Sequence, residues 1–108
     1  MPKLEKEFQH KLILEIKERF PGCIVLKNDP NYIQGFPDLT VLGEGWWALL
    51  ECKKSAKDPH RPNQDLYIRL ATDMSFGAFI FPENKEEILH ALEQASGNSG
   101  AARISRSV

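Results

Sequence analysis

One stretch, Trp46-Trp47-Ala48-Leu49-Leu50-Glu51-Cys52-Lys53, constrains this chain more than any other. Its apolar first part reads as a strand buried in a sheet, yet the strand closes on a carboxylate and an ammonium. Side chains alternate along a strand, so Glu51 and Lys53 leave on one face while Cys52 turns to the other. The fold must therefore accept charge at the edge of a largely apolar sheet, and buried charge has to be paired or bound to a metal.

The flanking sequence supplies the rest of an α/β domain. Leu4, Phe8, Leu12, Ile16 and Phe20 recur every fourth residue, with Ile13 widening the stripe, which predicts an amphipathic helix over 4–20. Pro21-Gly22 ends it. Cys23 to Leu26 is a short run of strand type, followed by the polar segment Lys27 to Gln34 with its Asp29-Pro30 turn signal. Pro37 to Leu42 reads as a second strand, and Gly43-Glu44-Gly45 is a hairpin connection into the third, Trp46 to Lys53. Lys54 to Asn63, with two prolines, is a loop. Residues 63–74 look helical through Leu66, Ile68 or Leu70, and Met74. Gly77 to Phe81 is a fourth strand, and Glu83 to Ala95 a periodic helix with acidic residues in its first turn. The order α-β-β-β-α-β-α predicts an α/β (α+β) fold, a mixed sheet of about four strands flanked by helices. One domain is expected over 1–95, with 96–108 a loosely held tail that has little to bury.

Composition enters mainly by exclusion. A net charge of −1 gives no global case for nucleic-acid binding. Locally, Lys53, Lys54, Lys57, Arg61 and Arg69 outnumber Asp58 and Asp65, with His60 among them; a solvated surface loop explains that equally well. No apolar run approaches the roughly 18 residues needed to span a bilayer, and the first residues are charged, so no membrane partner and a cytoplasmic location are expected. Cys23 and Cys52 read as small buried hydrophobes rather than a disulfide, and with three histidines they offer no zinc spacing.

The hairpin brings a second carboxylate to the closing strand. Asp38 follows Gly35-Phe36-Pro37 and falls opposite residues 50–51. Two like charges about 4 Å apart repel by roughly 4 kcal/mol at an effective dielectric near 20. Lys53 can offset that, and so can a hard divalent ion, since carboxylate oxygens suit Mg²⁺. The plain alternative is a structural ion pair at a strand end. Glu-x-Lys also occurs at Glu15 and Glu83, in or beside helices, where such pairs are usually surface charge. The combination is the stronger sign: Gly-x-Pro-Asp, a hairpin, then Glu-x-Lys closing a buried strand.

With Pro37-Asp38 followed by Glu51-Cys52-Lys53, the chain resembles the PD-(D/E)xK nucleases, and the order of elements matches the core of that restriction-endonuclease-like fold. Gly35-Phe36-Pro37-Asp38-Leu39, Leu50-Glu51-Cys52-Lys53-Lys54 and the downstream Gln64 look most like the VRR-NUC group, whose small stand-alone members include phage proteins. The resemblance spans roughly residues 4–95. It implies that Asp38 and Glu51 bind Mg²⁺ or Mn²⁺ together with the backbone carbonyl of Cys52. It also implies that Lys53 orients or deprotonates the attacking water and stabilises charge growing on phosphate. Relatives often add a carboxylate from the first helix. Glu5 shares the face of Phe8, Leu12 and Ile16 and stands ahead of Glu15 and Glu7, although a solvated first turn explains it nearly as well. Gln64 would border the lysine, or would simply open a helix after Pro62.

Under this resemblance Lys54, Lys57, His60 and Arg61 would follow a phosphate backbone, with Lys27 and Asn28 beside the same cleft. Tyr32 would stack on a base or merely pack, and Trp46 and Trp47 read as core or dimer contact. Three functions follow as expectations. The first is an Mg²⁺- or Mn²⁺-dependent endonuclease of a bacterial or phage-infected cell. It has no separate reading head, so it would select branched, flapped or junction DNA as a homodimer. The second is a non-catalytic nucleic-acid-binding module of the same fold. The third is a small interaction protein with an ion pair at a strand edge.

Overall fold

The computed structural model describes residues 3–97. Helix α1 (Lys3–Arg19) leads to strand β1 (Ile24–Lys27), then β2 (Leu39–Gly43) and β3 (Trp46–Cys52). Helix α2 (Gln64–Met74), strand β4 (Gly77–Ile80) and helix α3 (Lys85–Gly97) complete the order α-β-β-β-α-β-α. The sheet runs β1-β2-β3-β4, antiparallel between the first three strands and parallel between β3 and β4. It is therefore the expected mixed sheet, with α2 as the crossover that a parallel neighbour requires.

Strand parity divides the residues between two faces. Val25, Leu39, Val41, Ala48, Leu50, Cys52, Ala78 and Ile80 meet Leu12, Ile16 and Phe20 of α1 and Leu89 and Leu92 of α3 in the main core. Arg19 ties these two helices through Glu15, Glu86 and Glu93, and Lys85 reaches Glu15. The opposite face carries Leu49, Glu51 and their neighbours under α2, whose Ile68 and Ala71 are buried against β3 and β4. Gly77 permits that approach, because a Cβ there would lie 2.6 Å from the Ile68 carbonyl oxygen and 2.8 Å from Ala71 Cβ.

Most boundaries differ from the sequence reading by one or two residues, and three of the shifts have a visible cause. The first strand starts at Ile24, because the Cys23 N–H is taken by the Phe20 carbonyl in the turn that follows α1; Cys23 is only half-buried. Helix α3 begins two residues later than expected, after Asn84 bonds the Phe81 N–H and the Phe79 carbonyl. It runs on to Gly97, with Ser96 buried and its hydroxyl donating to the Leu92 carbonyl, so the domain includes the first residues assigned to the tail. Residues 98–108, the remainder of that expected tail, lie outside the described residues.

Candidate active site

The β2–β3 register pairs Leu39 with Leu50, which sets Asp38 opposite Glu51 where β2 begins. Two reciprocal bonds fix the pair. The Asp38 N–H donates to Glu51 Oε1 at 3.1 Å, and the Cys52 N–H donates to Asp38 Oδ2 at 2.9 Å. A strand residue sends its N–H and C=O to the same side, so the Cys52 carbonyl faces the side of Asp38, just before the start of β2. The Cys52 side chain goes the other way and is fully buried in the core.

Gln64 is the crossbar of the site. Its Oε1 accepts from Lys53 Nζ at 2.8 Å and from the Arg61 N–H at 2.7 Å, while its Nε2 donates to Glu51 Oε2 at 2.8 Å. The amide has one possible orientation, since an ammonium only donates and a carboxylate only accepts. Lys53 Nζ also donates to the Pro59 carbonyl at 3.0 Å. Two of its three donors are thereby used among the described residues. Glu51, Lys53 and Gln64 are all buried, so these bonds are made where an unpaired polar group would cost most.

The carboxylates are held against their preference for charge. Burial pushes Glu51 up to about 8, with the nearby Asp38 charge adding to the rise. Asp38 is raised by burial too, opposed by the Cys52 N–H and by Lys53 and Arg61. Glu5 is raised by burial, then by Asp38 and Asp58, and lowered by Lys53 and Arg61. Those neighbours put Glu5 at this site. Glu15 is instead engaged with Arg19 and Lys85 on the α1–α3 side, and Glu7 is exposed in a separate groove. Of the three glutamates, Glu5 is the one with Asp38 among its electrostatic neighbours.

Among the described residues no three His, Cys, Asp or Glu side chains form a ready-made metal cage. The donor set still suits Mg²⁺ or Mn²⁺. Mg²⁺ usually takes one or two carboxylates and keeps several waters, and Asp38, Glu51 and the Cys52 carbonyl meet that requirement. Asp38, raised by burial, and Glu51, raised by burial and then by the Asp38 charge, are the kind of groups a divalent ion would relieve.

The remaining expected residues are dispersed. His60 and Arg61 lie at the lip of the site. The His60 ring stacks on Phe79 with centroids 3.8 Å apart, and its Nδ1 pairs with Asp65 Oδ1 at 2.8 Å. Phe79 is the β4 partner of Glu51 in the register. Lys54 and Lys57 are exposed on the outer loop, where Asp58 and Ser55 hold their backbone N–H groups. Lys27 joins Lys6, Glu7, His10 and Lys11 around a groove beside α1. Asn28 is committed within the protein, its amide bonded to the Pro37 carbonyl and to Thr40, which steadies the entry to Asp38. Tyr32 is 83% exposed, so it does not pack, and Trp46 lies against Phe20.

The sequence reading passed over Gln9, Phe79 and Asp65. Gln9 is a buried polar residue one turn beyond Glu5 and hydrogen-bonds the Cys52 thiol. A polar residue on the apolar stripe of the first helix was the available signal. Phe79 and Asp65 carried none, because their place depends on the parallel pairing of β4. The chain matches no protein-family model, no curated protein and no solved structure.

Proposed function

We propose that this protein is a PD-(D/E)xK-type phosphodiesterase of the VRR-NUC kind, an Mg²⁺- or Mn²⁺-dependent endonuclease acting on DNA. The observation that carries this reading is the chain Asp38–Glu51–Gln64–Lys53. It joins two burial-stressed carboxylates through one fixed amide to an ammonium. A structural ion pair needs none of this. Lys53 would be bonded directly to Glu51, whereas Gln64 stands between them.

Asp38, Glu51 and the Cys52 carbonyl would hold the ion, with Glu5 within electrostatic reach. When bound, the ion supplies Lewis-acid polarisation of the phosphoryl group. Lys53 presents its remaining N–H to the attacking water or to a phosphate oxygen, and Gln64 with Pro59 keeps that ammonium aimed. Arg61 makes no ion pair among the described residues and offers its guanidinium to the phosphate. Lys54 and Lys57 extend the cationic path on one side, and Lys27, Lys6 and Lys11 provide a second on the other.

Among the described residues every element is used in the sheet or its flanks, which leaves backbone and shape as the features to recognise. Branched, flapped or junction DNA fits that limit, and a symmetric pair of chains would set two sites against two strands. No helix among the described residues is long and apolar enough to cross a membrane.

The test is cleavage of labelled linear, flapped and four-way-junction DNA with and without Mg²⁺ or Mn²⁺, by wild type and Lys53→Ala. Metal-dependent cutting that disappears in a folded Lys53→Ala is the expected result. Salt-sensitive binding with no cutting by wild type would replace the enzyme with a binding module of the same fold.

A further inference from the structure

Helix α1 uses its charges differently at its two ends. Toward its C-terminus Glu15 and Arg19 are tied to Lys85, Glu86 and Glu93 of α3. Toward its N-terminus Lys6 and His10 stand one turn apart beside Glu7 and Lys11, all of them exposed. Lys27, at the end of the edge strand β1, faces them, and the five side chains line a groove of about 320 Å³. None of the five makes an ion pair among the described residues. Even Glu7 and Lys11, at a spacing that suits such a pair, stay apart.

The groove opens beside the candidate active site. Glu5, next to Lys6 in the chain, has Asp38 among its electrostatic neighbours. Lys27 precedes Asn28, whose N–H donates to the Asp38 carbonyl at 2.7 Å. A strand spacing of about 4.8 Å and a rise of about 3.4 Å put the Lys27 and Asp38 backbones roughly 6 Å apart. A DNA strand with a phosphate at Asp38 that rounds the end of the sheet toward α1 brings a neighbouring nucleotide here.

The chemistry of the walls says what part of that strand they suit. Lysine stems and an imidazole ring line the space, while the ammonium groups can stay at its rim. An apolar interior with a cationic rim complements a nucleotide, base inside and phosphate outside. At about 320 Å³ the space lies at the lower end for small-molecule sites and takes one such unit, not a duplex. A paired base is held in its stack and cannot enter, whereas an unpaired one can.

We propose that the groove holds one unpaired nucleotide of the strand engaged at Asp38. Its base lies against the His10 ring and its phosphates meet Lys6, Lys11 and Lys27. Glu7, the one carboxylate among the five, accepts from an exocyclic amino group such as cytosine N4, which thymine lacks. The site therefore favours DNA with an unpaired nucleotide beside the cut over fully paired DNA, and amino-bearing bases over thymine.

This proposal rests on the DNA reading above but not on cleavage, so its test is run in chelator. Fluorescence anisotropy follows binding of the full chain to labelled short oligodeoxycytidine, oligodeoxythymidine, an abasic strand of equal length and a blunt duplex. Oligodeoxycytidine should bind about tenfold or more tighter than the abasic strand, and His10→Ala should remove most of that advantage. Lys27→Ala should weaken every single strand, the abasic one included, and Glu7→Gln should narrow the margin of cytosine over thymine. Arg69→Ala, an exposed cation removed from α2, should leave the base dependence unchanged. All these positions are exposed, and far-UV circular dichroism verifies folding. An abasic strand or a duplex bound as tightly as oligodeoxycytidine, or a base dependence indifferent to His10→Ala, overturns the proposal. Metal-dependent cutting by wild type, assayed separately, decides the nuclease reading whichever way the titrations fall.

Discussion

Replacing Asp38 with Asn should stabilise the metal-free protein while abolishing the cleavage proposed for it. The substitution is nearly isosteric, and Asn can keep the acceptor for the Cys52 N–H that Asp38 Oδ2 now provides. What it removes is a negative charge beside Glu51. Raising Glu51 from 4.5 to about 8 means that ionising it costs the folded state about 4–5 kcal/mol more than the unfolded one. Burial is the larger cause and Asp38 the second, so removing Asp38 should return about 1–2 kcal/mol. In a domain of this size that is a rise in melting temperature of about 5–15 °C.

The gain should depend on pH in a definite sense. A carboxyl whose folded pKa is raised favours the folded state most below its unfolded value, and that advantage is lost as pH climbs from 4.5 through about 8. Above about pH 8 wild type carries the full repulsion, and Asp38→Asn should melt higher. Below about pH 6 Glu51 already holds its proton in wild type, and the gap should narrow. Thermal melts across this range in chelator, repeated in excess Mg²⁺ or Mn²⁺, make the assay. Metal should raise wild type steeply at high pH and leave the variant nearly unmoved. A variant less stable than wild type by the same amount at every pH would refute the reasoning, because the carboxylates would then be held by their partners rather than strained against each other.

Other outcomes follow from the same geometry. Gln64→Ala should lower kcat by about 10–100-fold through loss of the crossbar, measured by single-turnover cleavage, with little change in DNA affinity. Gln64→Glu should do at least as badly, since it sets a third carboxylate against Glu51 and draws Lys53 into a direct pair. Gly35→Ala should destabilise by about 2 kcal/mol or more in chemical denaturation. Gly35 has φ +84°, and a Cβ there would lie 2.6 Å from the Pro62 carbonyl oxygen. Arg61→Ala should reduce the slope of log affinity against log salt by about one, read from binding titrations in chelator.

The parts of this site that could be read from sequence are those fixed by short-range periodicity. Strand alternation placed Glu51 and Lys53 together, and a tight hairpin brought Asp38 opposite Glu51. Helical spacing put Glu5 on the buried face of α1 ahead of Glu7 and Glu15. What lay hidden depends on contacts closed over long loops. Nothing local states that β4 runs parallel beside β3, so Phe79 and the stacked His60 could not be foreseen. Nothing in the loop before α2 marks the Pro59 carbonyl as a partner for Lys53. Asn28 shows a further limit. A polar residue after a strand looks alike in sequence whether it bonds outward to a ligand or, as here, inward to Pro37 and Thr40.

Cys52 belongs to two structures at once. Its sulfur is packing material, while its peptide group meets Asp38. A contribution made by the main chain cannot be mutated away, because every residue except proline has the same N–H and all have the same carbonyl. Selection on the chemistry therefore cannot see which side chain stands at this position, and selection on packing sees only that. Small apolar residues at position 52 should therefore preserve both the packing and the main-chain contact, whereas Glu51 and Lys53 would be held by the chemistry proposed for them.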